Sequence, residues 1–164
     1  MSGLGESLRD LKRQVLADPL SSDRVAAGWA LGMFAGCFIP FGLQLIVTVP
    51  LAFRWRVSKI GATVGTLITN PVTIFFIYPA QCWVGSRLVG SPLSWEHLTG
   101  EVFPVLRSAS VFSAAGLKAV CSLGWSVLGG FFAGGLLLAL VMTPLTFFLV
   151  RRFVARRRRR TNVV

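Results

Sequence analysis

Apolar residues run along this chain in three long blocks, and two of the three are broken. The first extends from Val25 to Ile39, meets Pro40-Phe41-Gly42, and resumes from Leu43 to Phe53. Taken whole it is long enough to cross a bilayer. Taken as two halves neither piece is, because a spanning helix needs about 20 apolar residues. The second block, Ile60 to Val84, is interrupted at Thr69-Asn70-Pro71 and again at Tyr78-Pro79. The third, Gly124 to Val150, carries no charge and is the plainest spanning helix. Pro144 is expected to kink it, and Arg151 and Arg152 to stop it.

Shorter patterns connect these blocks. Leu4, Leu8, Leu11 and Val15 recur at helical spacing among charged residues, which predicts an amphipathic helix on the membrane surface. A break from Asp18 to Asp23 follows, with Ser22 or Asp23 expected to cap the next helix. Arg54-Trp55-Arg56-Val57-Ser58-Lys59 reads as a basic turn with an interfacial Trp, and Arg87 to Glu101 as a polar connection. From Val102 to Leu123, Val105, Phe112 and Val120 share one helical face while Arg107, Ser110 and Lys118 share the other. That separation predicts an interfacial or cavity-lining helix.

Composition fits a chain that lives in lipid. Of the 164 residues, 54% are hydrophobic and only 14% charged, against about 25% in a soluble domain. No acidic residue falls between Asp23 and Glu96. The first residues carry charges of both signs and no apolar core, so a secretory signal peptide is not expected. Cys37, Cys82 and Cys121 lie far apart in apolar stretches without metal-ligand spacing. The net charge of +11 rests largely on Arg156 to Arg160. Directly after an apolar helix such a run holds the cytoplasmic end and attracts anionic lipid; no base-stacking motif accompanies it, so no nucleic-acid partner is expected.

Charge also bears on topology. Arg9, Lys12, Arg13 and Arg24 precede the first block, Arg54, Arg56 and Lys59 follow it, and seven arginines follow the last. If the first block crosses the membrane, one basic cluster falls outside. If it dips in and returns, fourteen of the seventeen basic residues are cytoplasmic. The charge pattern favours a re-entrant hairpin turning at Pro40-Phe41-Gly42 over one kinked span.

Candidate chemistry gathers at the breaks. In transporters, paired discontinuous helices mark a binding site, because half-helix ends leave N–H and C=O groups free. Gln44 and Thr48 follow the first break, Thr69, Asn70 and Thr73 surround the second, and Gln81 lies further on. Two readings stay open. Arg24, Gln44, Asn70 and Thr73 contact a substrate, with Pro40, Gly42 and Pro71 shaping its site; or the polar groups satisfy the freed backbone and each other. Gly28, Gly32 and Gly36, Gly61 and Gly65, and Gly130 and Gly134 repeat every fourth residue and predict close helix packing. No carboxylate lies in either broken segment, which disfavours proton coupling. His97 beside Glu96 reads as a solvated loop. No nucleophile set, phosphate loop or metal spacing occurs, so neither an enzyme nor a cofactor is expected.

Gly28-Trp29-Ala30-Leu31-Gly32, Gly36-Cys37-Phe38-Ile39-Pro40-Phe41-Gly42-Leu43-Gln44, Pro50-Leu51-Ala52 and Gly65-Thr66-Leu67-Ile68-Thr69-Asn70-Pro71-Val72-Thr73 form an ordered pattern. It resembles a bacterial membrane family known as domain of unknown function two thousand and sixty-two. The likeness covers roughly Ser22 to Gly90, continues more weakly to the end, and departs at Arg54-Trp55-Arg56-Val57, where many members carry an Asn. The resemblance implies a bacterial inner-membrane protein and supplies no catalytic residue. Fusions of some members to glycosyltransferase-like domains imply envelope or lipid-linked sugar work, by analogy only.

The expected fold is an all-α integral membrane protein: a small helical bundle with a re-entrant helical hairpin, a broken transmembrane helix and a C-terminal transmembrane helix. Residues 1–21 would form a cytoplasmic amphipathic helix, 22–155 one membrane domain and 156–164 a basic cytoplasmic tail. Both termini would be cytoplasmic. The expected function is to bind or move a lipid or other anionic amphipathic substrate. The alternative is a non-catalytic structural or assembly subunit, as a homo-oligomer or with a membrane partner.

Overall fold

The computed structural model describes residues 20–70, 72–102 and 124–161. The expected N-terminal surface helix, Pro71, the helix expected from Val102 to Leu123 (beyond Val102 itself) and the last three residues lie outside the described residues. Those described are helical, with no strand among them. The helices are α1 (Ser22–Phe38), α2 (Gln44–Arg54), α3 (Lys59–Thr66), α4 (Ile74–Leu88), a single turn α5 (Trp95–His97) continued by a π-helical turn (Leu98–Val102), and α6 (Trp125–Thr161).

Each boundary has a local cause. α1 begins at Ser21, whose hydroxyl accepts from the Arg24 N–H, rather than at Ser22 or Asp23. Asp23 pairs with Arg151 at 2.6 Å instead. α1 ends because Pro40 has no N–H to donate. Its last backbone bond runs from Ile39 N to Ala35 O at 2.8 Å, and Gly42, at φ +96°, completes the turn. α2 closes with Arg56 in the left-handed region (φ 52°) and the Val57 N–H bonded back to Ala52 O, the pattern of a Schellman end. Tyr78-Pro79 does not break α4, which runs through it. α6 continues past Arg151 and Arg152 through the arginine run. Its stretch from Trp125 to Arg159 is, among the described residues, the one helix long and apolar enough to cross a membrane.

The chain turns back on itself between α1 and α2. The Ser58 N–H donates to Arg24 O at 3.1 Å, so the start of α3 lies beside the start of α1. α3 then runs parallel to α1: Gly28 faces Ser58, Gly32 faces Ala62 and Gly65, and Gly36 faces Thr66 and Ile68. α6 is antiparallel to both α1 and α4, which lie end to end along it. Val25 packs on Val150 and Val154, and Met33 and Cys37 on Ala139. Further along, Tyr78 and Cys82 pack on Val127 and Phe131.

Glycine permits these approaches. A Cβ at Gly32 would overlap the Ala62 carbonyl oxygen, and one at Gly134 the Gln81 carbonyl oxygen. The stripes 28/32/36 and 61/65 therefore face each other, while 130/134 faces α4 at Gly85. Backbone cannot move aside as a side-chain tip can, so Gly32→Ala is expected to cost about 1–3 kcal/mol. Gly129→Ala, where a Cβ would stand 3.8 Å from Val89, is expected to be near neutral. Reversible unfolding in mixed micelles, followed by circular dichroism, checks the contrast.

Candidate functional site where the two breaks meet

The backbone groups freed at the first break find partners on α4 and on the second break. In a continuous helix the Gly36 carbonyl would accept from residue 40, and that residue is proline. Gly36 O instead accepts from the Thr69 hydroxyl at 3.0 Å. The Cys37 carbonyl accepts from Gln81 Nε2 at 2.9 Å, and the same nitrogen donates to Phe131 O on α6, also at 2.9 Å. The freed Phe41 N–H donates to the Tyr78 hydroxyl at 2.7 Å. Thr69, Tyr78 and Gln81 are all buried. Gln81 thus ties α1, α4 and α6 together in one side chain.

The second break is satisfied within itself. Asn70 Oδ1 accepts from the Val72 and Thr73 N–H groups at 2.9 and 3.0 Å, and Thr73 Oγ1 accepts from the Asn70 N–H at 2.9 Å. This reciprocal pair is a capping box in which Asn and Thr replace the usual Ser and Glu. Asn70 Nδ2 donates to Leu67 O at 3.3 Å, and the Thr73 hydroxyl donates to Ile68 O at 2.6 Å. The polar atoms of both residues are engaged with nearby backbone.

The two breaks touch at Gln44. It is buried, at the start of α2, with its amide oxygen 3.1 Å from Thr69 Oγ1. Thr48, one turn on along the same inward face, is fully buried and its hydroxyl has no partner. The Gln81 amide oxygen is likewise buried and unpartnered.

Of the residues singled out in the sequence, Gln44, Thr69, Asn70, Thr73, Pro40 and Gly42 fall in this region. Arg24 does not. It is exposed at the opposite end of α1, twelve residues from Gly36 and so about 18 Å away along the axis. Gln81, named in the sequence only as lying further along, and Thr48 belong to this region too, and Tyr78 is the contributor that sequence reasoning missed. Its signal was present: Tyr78 stands three residues before Gln81, on one face of an otherwise apolar stretch.

The profile of a family described as an uncharacterized protein conserved in bacteria, DUF2062, matches residues 6–162. The chain belongs to that family. The match extends across both breaks and all of the described helices, including the part after Gly90 where the resemblance is weaker. A search of curated proteins and one of solved structures each returned no match.

The two kinds of contact differ in energetic weight. Gln81→Met leaves the Cys37 carbonyl unpaired and removes a second bond from Phe131 O, which keeps its helical donor. The expected cost is about 2–4 kcal/mol, a buried acceptor left unpaired costing about 1–3 and the lost second bond about 1. Asn70→Ala removes a cap and is expected to cost about 1 kcal/mol. Equilibrium unfolding of the two variants checks the order; equal losses would mean that Gln81 does not bridge the three helices.

Proposed function

We propose that this is a multi-pass protein of the bacterial inner membrane, without catalytic chemistry, whose basic cytoplasmic end binds anionic amphipathic lipid. In this reading α1 and α2 form a re-entrant hairpin, α3 and α4 make up a broken outward span, and α6 crosses back. The observation that carries the reading is the bond from Ser58 N to Arg24 O. It sets Arg54, Arg56 and Lys59 beside Arg24, at the end where Asp23 meets Arg151. One end of the molecule therefore collects most of its cations, each worth about 1 kcal/mol near an anionic surface.

The flanks support a bilayer setting. Ile46, Phe76, Leu140 and Phe148 are each more than 60% exposed, which in water would be costly and in lipid is not. Exposed Trp55 stands at the basic end, and exposed Trp95 and Trp125 at the other, as interfacial aromatics do. From Trp125 to Arg151 α6 rises about 39 Å, enough for a hydrocarbon core of about 30 Å.

The internal pairing at the breaks moves the lipid contact away from them. Gln44, Asn70 and Thr73 build the fold, and Arg24 with Arg54, Arg56 and Lys59 meets the head group. Lys59 lies 4.1 Å over the exposed Phe53 ring, so charge and apolar surface are adjacent there, as an amphipathic ligand requires. The same internal pairing is what a purely structural subunit would show, so an assembly role is the second reading. The glycine stripes do not serve it, being used within the chain.

Native mass spectrometry of gently extracted protein tests the proposal. Retained anionic phospholipid or lipid-linked sugar is expected, with several-fold less on the variant Arg54→Gln/Arg56→Gln/Lys59→Gln. Equal retention by the variant, or a stoichiometric protein partner with no lipid, would favour the assembly reading.

A further inference from the structure

We propose that the oxygen cluster around Thr69 is a binding site for a monovalent cation such as Na+. The Thr69 hydroxyl has one proton, yet three acceptors surround it: Gly36 O at 3.0 Å, Gln44 Oε1 at 3.1 Å and Thr66 O at 3.3 Å. One bond can use that proton, so acceptors outnumber donors. The surplus has a cause in the sequence. Pro40 deprives Gly36 O of its helical donor, so Gly36 O and Gln44 Oε1 compete for the one hydroxyl proton, while Thr66 O also accepts from the Thr69 N–H at 3.3 Å. Gln44, Thr66 and Thr69 are buried from solvent, at 2%, 0% and 0% exposure. The unpartnered Thr48 hydroxyl is buried one turn further along the same inward face of α2 as Gln44.

Geometry and charge both fit a small cation. Oxygens bound to a hard cation at about 2.3–2.6 Å stand about 3–3.5 Å from one another, which is the spacing of Thr69 Oγ1 from its three neighbours. α1 and α3 run parallel, so their C-terminal ends converge on the cluster, each worth about half a negative charge. Together they offset about one positive charge. The ligands are neutral, and no acidic residue lies between Asp23 and Glu96. A divalent ion draws on carboxylates, so the site suits a monovalent one. Half-helix carbonyl ends serve Na+ in the same way where transporter helices break.

The proposal does not rest on lipid binding, and its test uses the full chain in lipid-free detergent. Radioactive Na+ is expected to bind saturably at one ion per chain and to be displaced by unlabelled Na+ but not by N-methylglucamine. In thermal unfolding at constant ionic strength, Na+ in place of N-methylglucamine is expected to raise the midpoint of the wild type and of Thr69→Ser. Thr69→Val is expected to lose that shift. Absence of displaceable Na+ on the wild type would overturn the proposal, whatever the variants do. That result would follow if the Gln44 amide were turned over, with Nε2 donating to Thr69 and no ion needed. A shift that survives in Thr69→Val would also overturn it.

Discussion

Proline at position 40 cannot donate a hydrogen bond, and the rest of this structure accommodates that fact. Inside an apolar body a backbone carbonyl without a donor costs as much as a lost hydrogen bond. Pro40 withdraws the donor of Gly36, and the turn that follows frees the Cys37 carbonyl and the Phe41 N–H. Each is met from elsewhere in the chain: Gly36 by Thr69, Cys37 by Gln81, Phe41 by Tyr78. A break in one segment therefore dictates where the next must lie. The second break, at Thr69-Asn70, places the Thr69 hydroxyl at the end of α1.

Hydrogen bonds of this kind demand that backbones come close, and the glycines allow it. α1 and α3 meet where Gly28, Gly32 and Gly36 face Ser58, Ala62, Gly65 and Thr66. α4 and α6 meet where Gly85 faces Gly130 and Gly134. α1 packs on α6 at Ala139 and Val154, and α4 packs on it at Val127 and Phe131, so α1 and α4 share that helix end to end, with Gln81 at the joint. Gln81 reaches both the last turn of α1 and the Phe131 carbonyl because Gly134 and Gly135 leave space for it.

Much of this was legible in the sequence. Helix positions followed from the apolar blocks, and the glycine stripes from their four-residue spacing. The two proline breaks were readable because Pro and Gly act through local backbone geometry. What was not legible was three-dimensional pairing. Asn70 and Thr73 invited a ligand reading, yet their spacing of three equally suits a capping box, and only the coordinates show that their atoms are used on backbone. Arg24 stood near Gln44 in the order of the chain but at the other end of α1, because a helix converts sequence distance into axial distance. Gly85 has no glycine four residues away, so its role opposite Gly130 gave no repeat to detect. The helical extent of the arginine run was also hidden, since charge marks the end of an apolar core, not the end of a helix.

The central claim is that the segment from Arg24 to Phe53 turns back at Pro40–Gly42 instead of continuing through the membrane. Labelling of single cysteines from each side of the bacterial inner membrane, in a background without Cys37, Cys82 and Cys121, tests it most directly. The probes are the exposed positions Ser21, Lys59, Glu96 and Arg152. The account predicts that Ser21→Cys, Lys59→Cys and Arg152→Cys react from the cytoplasmic side and Glu96→Cys from the opposite side. Reaction of Ser21→Cys and Lys59→Cys from opposite sides would contradict it.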